Sequence, residues 1–126
     1  MTQARELLAV FREMNSTSDR CFARFTPSLV GMFGSQKMLD LFLADLETAL
    51  ESKTVTQSLK QRATNLAHTF IPQVAGYNGI SDPAAYPVTV DELRLIRPDS
   101  PEDKIKGVRA ILSAFMRILD EVVRVC

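Results

Sequence analysis

Cys21, Cys126 and His68 are the side chains of this sequence best suited to covalent or metal chemistry. A thiolate attacks, and an imidazole beside it takes the thiol proton, so either cysteine with His68 would form a nucleophile–base pair. The spacing argues for a plainer role. Cys21 continues the series Leu7, Phe11, Met14, Ser18, Cys21, Phe25, and Cys126 closes the series Ile105, Val108, Leu112, Phe115, Leu119, Val122. Both series advance in alternating steps of three and four, the period of a helix seam, where a thiol is inert packing. Reduced, unpaired cysteines are therefore expected, and a thiol-dependent enzyme is the third-ranked reading of function.

Metal and cofactor chemistry find less. A structural zinc site needs four Cys or His ligands, and the chain holds three such residues in all. A di-metal carboxylate site in a helical bundle needs Glu-x-x-His pairs facing inward, and Asn65 occupies the position three before His68. Gly31 and Gly34 lack the Lys-Ser/Thr that completes a phosphate-cradling loop. No catalytic residue, metal ligand or cofactor is assigned, and the chain is expected not to be an enzyme. The twin Cys-x-x-x-Cys pairs of small mitochondrial import chaperones are also missing, since Phe25 stands four residues after Cys21.

The elements that must position any site read as helices throughout. The first seam predicts a helix from Thr2 to Phe25, with a weak stretch at Asn15-Ser16-Thr17-Ser18. Thr26-Pro27 then opens a short helical turn that ends at Gly34. Ser35 caps a second long helix, Gln36 to Glu51, with Leu39, Phe42, Leu43, Leu46, Ala49 and Leu50 as its stripe. A third starts near Thr54 or Thr56 on Val55, Leu59, Ala63, Leu66 and Phe70. Pro72 is expected to kink or end it, with Gly76 at its C-terminus. Residues 76–88 carry turn signals, Thr89 and Glu92 form a capping box for a short helix to about Arg97, and Pro98 stops it. Ser100-Pro101-Glu102-Asp103 supplies an N-cap, a first-turn proline and acids on the positive end of the helix dipole. The last helix follows to about Val125. The expected fold is all-α: one domain over residues 1–126, a bundle of four long amphipathic helices with one or two short connecting helices.

Charge narrows the partners. Fifteen basic residues balance fifteen acidic ones, which argues against a nucleic-acid partner. Residues 35–52 are acidic and residues 53–75 basic, which predicts that these two helices pair as an antiparallel hairpin and neutralise each other. No apolar run reaches the roughly 18 residues of a membrane span. Arg5, Glu6, Arg12 and Glu13 interrupt any signal-peptide core. The expected location is intracellular, cytoplasmic in the first instance, with a mitochondrial one left open.

Two apolar features exceed what a bundle needs. The connector from Phe25 to Phe33 carries Leu29, Val30, Met32 and Phe33, whereas connectors are usually polar. The last helix has a second apolar line, Ile111, Ile118 and Val125, beside its seam. These seven residues form the expected partner interface. The leading reading is a non-enzymatic interaction or structural module, an accessory subunit of a larger protein assembly that binds a protein partner or itself. The alternative is a binder of an apolar small molecule or lipid tail between the helices, for which five methionines and seven phenylalanines offer a malleable lining.

Overall fold

The structure, a computed structural model, describes residues 2–16, 27–80, 82–83, 86–95 and 101–124. It is all-α, with no strand among the described residues. Helix α1 spans Thr2–Ser16, α2 Pro27–Phe33 and α3 Gln36–Ser52. A long rod follows in three joined pieces: α4 Gln57–Asn65, a π-helical turn Leu66–Phe70, and α5 Ile71–Tyr77. Helix α6 is Val90–Leu95 and α7 is Pro101–Arg124.

The ends of these helices obey local chemistry. Ser35 Oγ accepts from the Met38 amide at 3.1 Å, Thr56 Oγ1 from Leu59 at 3.2 Å and Thr89 Oγ1 from Glu92 at 3.1 Å. Each bond satisfies one of the orphan amides of a helix start. The expected caps at Ser35 and Thr89 are thus the ones used, and of the two candidates Thr54 and Thr56 it is Thr56 that caps. The expected helix through residues 17–25, with Ser18, Cys21 and Phe25, lies outside the described residues.

Pro72 does not end the third helix. The Ile71 amide bonds to Leu66 O, five residues back, and the rod continues to Tyr77. A proline has no amide to donate and its ring collides with the carbonyl four residues earlier. The widened π turn just before Pro72 accommodates that ring without breaking the rod. The stop comes later than Gly76. Gly79 takes φ +74°, its amide bonds to Gly76 O at 3.1 Å, and the Ile80 amide bonds to Ala75 O at 2.8 Å. This pair of bonds, with a left-handed residue between helix and exit, closes the last carbonyls.

Helix α7 is the axis of the packing. Every residue from Ala110 to Phe115 is buried. Six consecutive positions turn through more than a full circle at 3.6 residues per turn, so this stretch is covered on all sides. Its neighbours are α1, α3, α4, the π turn, α5 and α6. Phe115 meets Phe11 of α1 with ring centroids 5.5 Å apart. Leu7, Leu46, Leu66 and Leu112, one from each long element, all share the same buried cluster.

Helices α3 and α4 exchange none of the expected ion pairs among the described residues. Helix α3 packs on α1 and α7, while α4 packs on α7. The α3 acids face α1: Arg12 Nη1 lies 2.8 Å from Glu47 Oε1, Arg12 Nε 3.4 Å from Asp40 Oδ1, and Arg5 Nη2 3.6 Å from Glu51 Oε2. Charge balance between neighbours in sequence is worth ~0–1 kcal/mol per exposed pair. Burial of the apolar faces on α7 outweighs it and sets the arrangement. Asn15 joins the same seam from inside, donating from Nδ2 to Gln36 O at 3.0 Å, while Gln36 Nε2 donates back to Asn15 O.

Truncating Phe115 to Ala should cost about 3–5 kcal/mol, read by chemical denaturation, since it empties the axis of the core. The two glycines of the rod should separate cleanly. Gly79→Ala should destabilise by about 1–2 kcal/mol through its left-handed backbone. Gly76→Ala, in helical conformation with open space around the added carbon, should stabilise by up to ~1 kcal/mol. Equal effects at both positions would contradict this helix end.

Candidate interaction surface

The expected interface divides. Leu29 is fully buried, Val30 and Phe33 are half-buried, and Met32 is 50% exposed. The Phe33 ring packs on Phe42 of α3 at 5.1 Å between centroids. Part of the apolar connector therefore anchors α2 to α3, and part remains outside. Ile111 and Ile118 are a correction: both are fully buried. The breadth of the α7 apolar face is consumed by the chain's own helices, so these two residues offer nothing to a partner. Val125 lies outside the described residues.

Two residues that periodicity had not selected complete the exposed patch. Met38 and Leu41, three apart on the first turns of α3, are 51% and 50% exposed. Their signal was present in the sequence: both are large apolar residues that fall off the α3 stripe. Large apolar side chains within residues 30–41 thus form a shoulder at the α2–α3 corner. Arg62 borders it, with its guanidinium carbon 4.6 Å from the centre of the Phe42 ring. Lys37 adjoins it on α3 and is exposed.

A second constellation is polar and ties the connector between α5 and α6 to α7. Ser113, buried inside α7, donates from Oγ to Pro83 O at 2.6 Å. Arg117 Nη2 donates to Tyr86 O at 3.1 Å. The Arg109 guanidinium lies 4.1 Å from the centre of the Tyr86 ring. The Tyr86 hydroxyl donates to the Glu92 carboxylate. That bond to an anion, together with partial burial, raises the Tyr86 phenol above its usual value of 10.0, against the opposing pull of Arg109. Glu92, expected to reach back to the Thr89 amide as half of a capping box, holds Tyr86 instead.

Two open clefts lie apart from the shoulder, one at the α3–α4 link and one beside the Tyr86 constellation. One of about 440 Å³ opens where α3 and α4 diverge, lined by Asp45, Thr48, Ser52, Thr54, Val55 and Leu59. Another of about 420 Å³ lies beside Tyr86 and Arg109, with Ile80, Asp82 and Ile105 on its walls. Both are open to solvent. His68 is exposed on the π turn, while Cys21 and Cys126, its expected partners in a thiol site, lie outside the described residues. Among the described residues no group of three or more His, Cys, Asp or Glu is placed to hold a metal ion. Among them, too, no helix is long and apolar enough to cross a membrane.

No protein-family model matches this chain, nor does any curated protein or solved structure.

The Tyr86 bond gives a direct readout. In a Tyr77→Phe variant, which leaves Tyr86 as the single tyrosine, tyrosinate absorbance should rise with a midpoint above 10, and Glu92→Gln should bring it down. The sign follows from the raised value. The contribution to stability is present while the phenol is protonated, below its unfolded value, and is lost as pH rises through the folded one. An unchanged midpoint in Glu92→Gln would show that Glu92 does not hold the hydroxyl.

Proposed function

We propose that this chain is a non-enzymatic interaction module, a small accessory subunit of a larger protein assembly, docking through the shoulder formed by α2 and the start of α3. The observation that carries the reading is the half exposure of Met32, Met38 and Leu41 beside the half-buried Val30 and Phe33. Single exposed apolar residues are ordinary on a protein surface, but a group within one corner marks an interaction site. The shoulder rests on a fixed base, because Phe33 and Phe42 lock α2 to α3. A docking face held rigid before binding loses little side-chain and loop freedom on association. Methionine suits such a face, being unbranched and able to adapt its shape to the partner.

The test is purification of the tagged full chain from its native source, with mass measured by light scattering. The wild-type chain should bring down a stoichiometric protein partner or a second copy of itself. The double variant Met38→Asp/Leu41→Asp should lose it while keeping helical circular dichroism and a stability within about 0.5 kcal/mol, as exposed substitutions do. A wild-type chain that stays monomeric and alone would overturn the reading. So would an assembly that survives the double variant.

A further inference from the structure

We infer that the occupant of the shoulder is an acidic amphipathic segment of a partner protein, with its apolar side on Met38 and Leu41 and its carboxylates on Arg62 and Lys37. This deepens the docking reading above and rests on it. Asp40, Glu47 and Glu51 stand against Arg12 and Arg5 of α1, which leaves Asp45 as the α3 acid outside those pairs. The basic stretch that α3 was expected to neutralise is left with its charge. Residues 53–81 contain no Asp or Glu, and Lys37, Lys53, Lys60 and Arg62 make no ion pair among the described residues.

Two of those cations bracket the apolar shoulder. Arg62 lies over the ring of Phe42, which Phe33 also contacts, and Met38 stands one helical turn before Phe42. Lys37 projects from α3 on the other side of Leu41, one turn away. A patch with an apolar centre and unpaired cations at its rim complements a helix bearing an apolar stripe edged by Asp or Glu. The charges would raise the association rate and fix the orientation, while the apolar centre supplies most of the affinity. Nucleic acid fits less well, because the centre of the patch is aliphatic and offers no exposed aromatic ring on which a base could stack.

A displayed library of random 16-residue peptides, selected on the full chain, supplies the probe. Enriched peptides should combine an apolar helical stripe with net negative charge. Their affinity should fall about tenfold in Lys37→Gln/Arg62→Gln, equal to ~1.4 kcal/mol, and should weaken with added salt. It should be lost in Met38→Asp/Leu41→Asp. Circular dichroism on each variant confirms the fold, and Lys53→Gln, away from the shoulder, serves as the matched charge control. Peptides that need Met38 and Leu41 but show neither acidic enrichment nor dependence on Lys37 and Arg62 would overturn the acidic partner and leave the docking face standing. Binding equally weakened by Lys53→Gln would also overturn it, as a general charge effect. Self-association through Met38 and Leu41 would replace the acidic segment with a second copy, and displacement of the peptides by single-stranded nucleic acid at equal concentration would replace it with a polyanion. Absence of any binder sensitive to either pair would overturn both readings.

Discussion

Burial of α7 on every side is the constraint from which the rest of the molecule follows. Six consecutive buried residues, Ala110 to Phe115, demand neighbours around the full circumference. Those neighbours are α1, α3, the α4–α5 rod and α6. A helix with one buried stripe can pair with any similar stripe, but a helix whose middle is buried all round must lie at the centre. Once α7 is central, each remaining helix has one face assigned to it, and the side-to-side pairing of those helices becomes a secondary matter.

That hierarchy explains the electrostatics. Opposite charges on α3 and the following stretch suggested a direct pair, yet each pair at a surface contributes little beside the apolar area each helix buries on α7. With α1 and α3 brought together, Arg12 finds both Asp40 and Glu47 within reach. The acids expected to face the basic rod are engaged by α1 instead, and the rod keeps its charge. A chain with no net charge therefore has an uneven surface, which composition alone conceals.

The same centre organises the connectors. Ser113 is a polar side chain in the most buried part of α7, and a buried hydroxyl without a partner is costly. Pro83 O supplies the partner, and Arg109 and Arg117 on the wetter part of α7 hold Tyr86 from two sides. The connector between α5 and α6 is thereby laid along α7. At the α2–α3 corner Phe33 against Phe42 does the anchoring, beside the Asn15–Gln36 bonds that tie the start of α3 to α1. What remains outside that contact, Met32, Met38 and Leu41, is the shoulder.

Helical periodicity and capping residues in the sequence determined the all-α fold, the stripes of α1, α3 and α7, and the caps at Ser35 and Thr89, because these depend on residues within one or two turns of each other. Proline and glycine misled at the rod for the same reason. The π turn that admits Pro72, and the left-handed Gly79 that replaces Gly76 as the stop, reflect how a long rod lies across α7. Partner surfaces were half legible. Met32 could be seen as an apolar residue in a connector, and Met38 and Leu41 as residues off their stripe, but nothing local distinguished them from Ile111 and Ile118. Only the tertiary structure decided which apolar residues face inward and which acids Arg12 would claim, since both depend on which helix occupies the centre, and that is set by summed burial over the whole chain.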